Sequence, residues 1–271
     1  MNDLFIYIVL GIIQGFTEPL PISSSGHLVV FQTLLGTNNE SVVYEAFVNF
    51  GSTIAIVIYF FKDIKKLIID FFGKIFTKGE ENKKYDDGFN YVLKMIVATI
   101  PLVVVGLSIY FLGISFGDDV WMIAVALIIT GILLLIVSNK NGTKSIEEMS
   151  YWSILLIGIG QTIAIFPGIS RSGITLVVAL LLMMNKNDAF KFSFMIYLPA
   201  SAGALIYSLI EIRGQENFDQ LLIYVISAIF AGIFTFIGIK IFKSAIIRNN
   251  LKYFSMYCFF LGSLILGLIY F

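Results

Sequence analysis

The feature that most constrains this chain is residues 11–27, GIIQGFTEPLPISSSGH, which place polar and ionisable side chains inside apolar sequence. They hold Gln14, Glu18, three serines, two prolines and the only histidine of the chain, His27. The whole chain is 58% hydrophobic and 13% charged. A soluble domain carries about a quarter charged residues, so we interpret the chain as a polytopic membrane protein. Because ionisable groups inside a membrane are costly and usually functional, this segment is the first candidate for a site.

The apolar stretches predict an all-α fold with six transmembrane helices. A spanning helix needs roughly 20 apolar residues. The stretches that reach this length are about 42–61, 89–113, 119–138, 188–212, 219–243 and 252–271.

Two further regions, residues 4–36 and 154–184, predict re-entrant helical hairpins. Prolines break the first region at Pro19 and Pro21 and the second at Pro167. Each arm is about 20 Å long as a helix, which is too short for a hydrocarbon core of about 30 Å. We therefore expect both tips to lie near the bilayer midplane. The alternative is two helices that are kinked at proline and each span the membrane.

The two hairpin regions are related in sequence, which predicts a single membrane domain built from an inverted repeat. A hairpin returns to its starting side and three spans reverse it, so halves at 1–140 and 148–271 would be inverted relative to each other. A gap-free shift of 147 residues aligns Gly11, Gln14, Ile22, Ser23, Ser25 and Gly26 with Gly158, Gln161, Ile169, Ser170, Ser172 and Gly173.

The distribution of positive charge predicts the orientation. Loops 62–94, 139–150, 185–191 and 240–252 hold sixteen of the eighteen Lys and Arg residues; the other two are Arg171 and Arg213. Because positive loops are cytoplasmic, we expect both termini outside, the first hairpin entering from outside and the second from the cytoplasm. We expect the longest loop, roughly 62–88, to be a solvated connection.

Hairpins that enter from opposite faces would bring their tips together and form an anion site. Ser23 and Ser170 stand where each chain turns back into a helix and are expected as N-caps. Two helix N-termini together with the guanidinium of Arg171 suit phosphate or diphosphate. The residues expected to bind substrate are Ser23, Ser25, Gly26, Gly168, Ser170, Ser172 and Gly173.

Two spacings on the first hairpin indicate chemistry. Gln14 and Glu18 are four residues apart and share a helical face, where with phosphates they could hold Mg²⁺ or Ca²⁺. Ser24 and His27 are three apart, so a hydroxyl and an imidazole could meet as an activated nucleophile, or His27 could attack phosphorus itself. In the alternative interpretation, Glu18 and Arg171 form only a buried ion pair.

Two acids further along the chain have a simpler interpretation. Glu45 and Asp188 each begin a predicted span. We interpret both as partners of the helix dipole rather than as ligands.

These motifs resemble the undecaprenyl-diphosphatase family, also called the bacitracin-resistance family. Residues 14–18, QGFTE, followed by LPISSSGH, resemble its (E/Q)xxxE and PISS(S/T)GH region, and residues 167–173, PGISRSG, match its PGxSRSG motif. The resemblance covers essentially the whole chain. It implies an integral phosphatase of the bacterial cytoplasmic membrane, with a site open to the outer face. The enzyme would cleave undecaprenyl diphosphate to undecaprenyl phosphate and inorganic phosphate, and so recycle the lipid carrier of peptidoglycan synthesis.

The resemblance also implies roles for individual residues. Glu18 matches the family's essential glutamate, and Arg171 matches its phosphate-clamping arginine. Ser24 and His27 match the residues proposed as nucleophile or general acid/base, so we expect Ser24 to attack with His27 as base, or His27 to attack directly. The divalent cation is implied in the same way. Gln14 stands where many members have a glutamate, which lowers the local negative charge.

The rival interpretation is a secondary transporter or a flippase for a phosphorylated lipid or anion. Inverted repeats, broken helices and a midplane anion site also describe carriers. Ser24, His27 and Glu18 favour an enzyme, because binding an anion needs no nucleophile–base pair. A net charge of zero gives no sign of a nucleic-acid partner, and we expect none. The sequence leaves a homodimer open.

Overall fold

The computed structural model describes residues 3–37, 42–114, 116, 119–211 and 218–270. Within these residues the chain forms eleven α-helices, two short 3-10 helices and no strand. The 3-10 helices are Glu80–Tyr85 and Ile163–Ile165. The α-helices are α1 (Asp3–Thr17), α2 (Ser24–Leu35), α3 (Val42–Tyr59), α4 (Phe61–Phe76), α5 (Asp86–Leu112), α6 (Val120–Val137), α7 (Tyr151–Thr162), α8 (Arg171–Leu181), α9 (Lys186–Glu211), α10 (Phe218–Ile247) and α11 (Leu251–Tyr270).

The helices confirm an all-α polytopic membrane protein. Five of those in the described ranges are long and apolar enough to cross a membrane, and the count is six if α3 and α4 form one bent span. The six predicted spans coincide with α3, α5, α6, α9, α10 and α11. Residues 212 and 271, where two predicted spans end, and Arg213, used in the charge distribution, lie outside the described residues.

Both predicted hairpin regions consist of short helices separated by a break. The pairs α1–α2 and α7–α8 have 15, 12, 12 and 11 residues. Each break ends at the predicted N-cap: Ser23 Oγ accepts from the N–H of Gly26 at 3.2 Å, and Ser170 Oγ accepts from that of Gly173 at 3.1 Å. The breaks and both caps are therefore as predicted, while the re-entrant placement and the inverted repeat stay predictions.

Glycines let helix backbones touch where the hairpins pack on their neighbours. A Cβ built on Gly15 of α1 would lie 2.1 Å from the carbonyl oxygen of Ala231 in α10, and one on Gly158 of α7 would lie 2.3 Å from that of Ala98 in α5. Close approach of small residues is the usual means of packing helices in membranes. The contacts fix α1 against α10 and α7 against α5.

The expectation that residues 62–88 form a loop is wrong. Residues 61–76 form α4, which is bent by 76° relative to α3, and residues 80–85 form a 3-10 helix that leads directly into α5. Several apolar side chains of α4 are exposed, among them Phe72 at 51% and Phe76 at 76%. The charged residues of this stretch had suggested a loop, although their spacing fits one face of an amphipathic helix.

Candidate active site

The carboxylate of Glu18 is the point where the two hairpin tips meet. Its Oε1 lies 2.8 Å from Nη2 of Arg171, a residue 153 positions away. Its Oε2 accepts hydrogen bonds from Ser24 Oγ and, at 2.9 Å, from Gln14 Nε2. The side chain of Glu18 is 6% exposed and that of Arg171 is 28% exposed. The structure therefore brings together Gln14, Glu18, Ser24 and Arg171, as the sequence analysis expected.

The first tip owes its shape to the break between α1 and α2. Pro19 and Pro21 lack the N–H groups that would continue α1 beyond Thr17. Ser23 then adopts a φ of 67°, in the region that favours glycine, and caps α2. Ser24 is consequently the first residue of that helix, with its hydroxyl beside Glu18.

The second tip presents Arg171 in the corresponding position. Gly168 takes a φ of 89°, which a residue with a Cβ rarely adopts. Ser170 caps α8, so Arg171 is its first residue. Ser24 and Arg171 thus both begin helices, where free backbone N–H groups and the helix dipole favour an anion.

Several residues predicted to bind substrate also hold the tips together. Ser172 Oγ donates to the carbonyl oxygen of Leu20 at 3.0 Å, and the N–H of Gly168 donates to Ser25 Oγ at 3.5 Å. A Cβ built on Gly26 would lie 3.5 Å from Cα of Gly168. The predicted serines line the cavity described next, whereas Gly26, Gly168 and Gly173 do not line it.

A cavity of about 690 Å³ extends from Glu18 into an apolar region. Its polar end includes Glu18, Ser24 and Arg171. Its apolar walls come from α5, α9 and the segment after α7, and their members include Leu102, Val103, Gly106, Leu107, Ile165, Ile169, Ala200, Gly203, Ala204 and Ile206. Val103, Leu107 and Ile206, from α5 and α9, are about half exposed. The exposed part of the cavity wall therefore lies at α5 and α9.

A tyrosine that the sequence analysis missed supports Arg171. The guanidinium lies 3.9 Å from the ring centre of Tyr197 in α9, a cation–π contact. Tyr197 Oη lies 3.1 Å from Thr53 Oγ1, and Asn49 Oδ1 accepts from Gln14 Nε2 at 2.7 Å. Asn49 and Thr53 are polar residues four positions apart within an apolar span, a spacing that could have identified this face of α3.

His27 does not pair with Ser24, contrary to expectation. Its Nδ1 lies 2.7 Å from the carbonyl oxygen of Ser23, and its Nε2 lies 2.7 Å from Tyr257 Oη in α11. A carbonyl oxygen can only accept, so Nδ1 carries a proton. His27 is 2% exposed and does not line the cavity.

The protein ligands at this site suit a divalent cation only if the substrate also supplies ligands to it. Within the described ranges no three His, Cys, Asp or Glu side chains form a metal-binding group. Gln14 turns its amide nitrogen to Glu18 and Asn49, so its amide oxygen would have to join the Glu18 carboxylate as the second protein ligand. One carboxylate and one amide oxygen are enough for Mg²⁺ that is also bound by phosphates and water.

The two acids interpreted as dipole partners differ in the structure. Glu45 lies in the first turn of α3 and also lines the cavity. Asp188 lies in the first turn of α9, where its Oδ2 accepts from the N–H of Ile146 at 2.9 Å and from Asn185 at 2.8 Å. Asp188 therefore joins α9 to the segment before α7, away from the cavity.

Comparison with known proteins matches the chain to one family throughout. The family model described as Bacitracin resistance protein BacA matches residues 7–264. The chain is 39% identical over 261 residues to undecaprenyl-diphosphatase 1 of Bacillus cereus, covering 96% of each protein. It is 39% identical over 262 residues to undecaprenyl-diphosphatase 1 of Bacillus licheniformis, again covering 96% of each. It is 36% identical over 270 residues to the undecaprenyl-diphosphatase of Oceanobacillus iheyensis, covering 96% of this chain and 94% of that one.

Proposed function

We propose that this chain, which belongs to the BacA family of bacitracin-resistance proteins, hydrolyses undecaprenyl diphosphate to undecaprenyl phosphate and inorganic phosphate. The observation that carries the proposal is the contact of Ser24 and Arg171 with the two oxygens of Glu18, at the polar end of an apolar cavity. The reaction recycles the lipid carrier of cell-wall synthesis. A pure transporter is not favoured, because a carrier needs no serine hydrogen-bonded to a carboxylate.

Ser24 is the nucleophile in this proposal, with Glu18 as its base. The terminal phosphate lies at the N-termini of α2 and α8, where Arg171 binds it. Glu18 takes the hydroxyl proton while Ser24 Oγ forms a bond to the terminal phosphorus. The bond from that phosphorus to the bridging oxygen breaks, and its electron pair leaves with undecaprenyl phosphate. Glu18 releases its proton to the departing lipid phosphate. Water then attacks the phosphoserine while Glu18 accepts a proton from that water and returns it to Ser24 Oγ as the bond from phosphorus to Oγ breaks, and inorganic phosphate is released.

Arg171 has donors to spare for this task. One of its nitrogens contacts Glu18 in the structure, and a guanidinium carries five N–H groups in a fixed plane. The ring of Tyr197 supports that plane from one face. Arg171 can therefore bind phosphate oxygens without leaving Glu18. The base and the bound phosphate then keep a fixed position relative to each other.

We propose that a divalent cation, Mg²⁺ or Ca²⁺, accompanies the diphosphate. Glu18 and the amide oxygen of Gln14 would hold it. When bound, the cation would neutralise phosphate charge that Arg171 alone leaves unbalanced.

The undecaprenyl chain would leave the site between α5 and α9, where the cavity wall is exposed. Gly106 and Gly203 support this route, because a Cβ built on either glycine meets no atom within 4 Å. The apolar walls would bury the first isoprene units, and the remainder of the chain would lie in lipid.

The orientation of the protein is also a proposal. The multi-pass chain belongs in the bacterial cytoplasmic membrane, with both termini outside and the site open to the outer face. The support is the concentration of Lys and Arg in one set of loops. The homodimer stays a prediction, because the contacts described are those of a single chain.

The first prediction concerns Ser24 and Glu18. In a phosphate-release assay on purified protein, Ser24→Ala should fall to background, and Glu18→Gln should lose at least about a thousandfold in kcat, since the base is removed. Ser108→Ala, which alters an exposed serine of α5, is the control and should match the wild type. Full activity of Ser24→Ala would remove Ser24 from the chemistry.

The second prediction tests whether His27 only holds the Ser23 carbonyl or transfers a proton. If it only holds the Ser23 carbonyl, His27→Asn keeps a donor near the Nδ1 position and should retain at least about a tenth of the wild-type kcat, the scale of one weakened hydrogen bond. His27→Leu has no donor and should be far less active. Equal inactivity of the two variants, both folded, would instead assign His27 to proton transfer.

The third prediction tests the route of the lipid chain. Gly203→Leu fills the opening between α5 and α9, so KM for undecaprenyl diphosphate should rise about tenfold or more, the contribution of a few buried methylenes. KM for a short-chain diphosphate such as dimethylallyl diphosphate should stay unchanged. Gly267→Leu, at a second glycine with open space around its Cα, is the control. An equal rise in KM for both substrates would show that the undecaprenyl chain does not pass between α5 and α9.

A further inference from the structure

A buried amide at the cavity wall has no partner. Gln161 of α7 is 0% exposed, it lines the cavity, and neither Nε2 nor Oε1 has a hydrogen-bond partner within the described part of the chain. An unpaired buried polar group costs about 1–3 kcal/mol, so such groups are rare in native structures and call for an explanation.

The first hairpin shows what a partner for this amide looks like. Gln14, which the 147-residue shift aligns with Gln161, donates to the carboxylate of Glu18. The same shift aligns Glu18 with Ile165, an apolar residue. The second hairpin thus keeps the amide and lacks the anionic acceptor. Because Gln161 lines the cavity, a ligand held there could supply the acceptor.

A phosphate oxygen is the acceptor that the cavity would supply. The terminal phosphate already has Arg171 and two helix N-termini in the proposed function. Gln161 lies in the wall with Ala164 and Ile165, which belong to its apolar part. We propose that Gln161 donates from Nε2 to the phosphate group that stays on the lipid, and so binds both the substrate and the undecaprenyl phosphate product.

This inference rests on the proposed function, and Gln161→Leu tests it. The substitution removes an unpaired amide at similar volume, so the unfolding midpoint should equal or exceed that of the wild type. KM for undecaprenyl diphosphate should rise about tenfold, as expected for a hydrogen bond to a charged group. Inhibition by undecaprenyl phosphate should weaken to a similar extent, whereas inhibition by inorganic phosphate should not change.

Gln32→Leu is the matched control. Gln32 of α2 is also buried, its Nε2 also lacks a partner, and it does not line the cavity. The control should keep the wild-type KM and inhibition constants. The inference is overturned if Gln161→Leu keeps the wild-type KM and inhibition constants, as the control should. It is also overturned if the substitution weakens inhibition by inorganic phosphate rather than by undecaprenyl phosphate. An inactive wild-type protein would overturn the proposed function itself.

Helix α4 carries a second, independent inference, because three of its charged side chains face the protein. Asp70 is buried against Gly88 of α5, Lys74 pairs with Asp86, and Asp63 lies 2.5 Å from Lys191. The exposed side carries three lysines, Lys62, Lys65 and Lys66, among apolar residues. Those more than half exposed are Phe61, Ile68, Ile69, Phe72, Ile75 and Phe76.

The direction of α4 and its unpaired charges indicate what covers this face. If α3 crosses the bilayer, the 76° bend directs α4 nearly along the membrane plane. Lys62, Lys65 and Lys66 are exposed and form no ion pair within the described ranges. A basic amphipathic helix with exposed phenylalanines is typical of a membrane interface that contains anionic lipid. We propose that α4 lies in the interface and binds anionic phospholipid through these lysines.

Reconstitution of the full chain tests this second inference. In bilayers of phosphatidylcholine mixed with phosphatidylglycerol, the wild type should unfold several degrees higher than in phosphatidylcholine alone. The triple variant Lys62→Gln, Lys65→Gln, Lys66→Gln should lose that difference. A control with the same charge change at the exposed Lys140, Lys243 and Lys252 should keep it.

Three outcomes would overturn the role of α4. The first is a wild type whose unfolding temperature does not change with phosphatidylglycerol. The second is a control variant that loses the temperature difference as fully as the triple variant does. The third is a dimer that the substitutions Phe72→Ser and Phe76→Ser abolish. The last outcome would assign the face to a second copy of the chain.

Discussion

The structure of the site depends on the ion pair between Glu18 and Arg171. Removing two charges from water costs several kcal/mol each, and the pair recovers this only with good geometry and further hydrogen bonds. Here Oε1 of the carboxylate faces the guanidinium and Oε2 faces Ser24 and Gln14. The two hairpins are separated by more than a hundred residues, and this pair holds their tips in one arrangement. In the proposed function, the chemistry of the first tip and the anion binding of the second therefore meet at one carboxylate.

Much of this arrangement could be predicted because it follows from local rules. Pro19, Pro21 and Pro167 cannot continue a helix, and a serine before a new helix is its natural cap, so both tips and both caps were predictable. The proximity of Glu18 to Arg171 followed from two broken apolar regions of related sequence. Helix α4 was missed because its charged residues suggested solvent, although its apolar residues recur at helical spacing.

The partner of Ser24 was beyond sequence reasoning. Ser24 and His27 share a helical face by their spacing, but the rotation of α2 is set by its packing on other helices. That rotation turns His27 toward Tyr257 of α11 and Ser24 toward Glu18 across the break. Tyr197 escaped notice for the same reason, since its contact with Arg171 joins α9 to α8. Contacts between distant helices leave no periodic signal in one sequence.

If the lipid chain leaves between α5 and α9, as proposed, the enzyme works within the bilayer. Its lipid substrate arrives by diffusion in the plane of the bilayer, and its lipid product returns to the same plane. Only inorganic phosphate passes into water. Turnover therefore responds to the mole fraction of the substrate among neighbouring lipids rather than to its amount per volume of solution. The lipid product leaves through the same opening by which new substrate enters, so the two compete for it. Because inorganic phosphate is lost to water, the reverse reaction is not favoured.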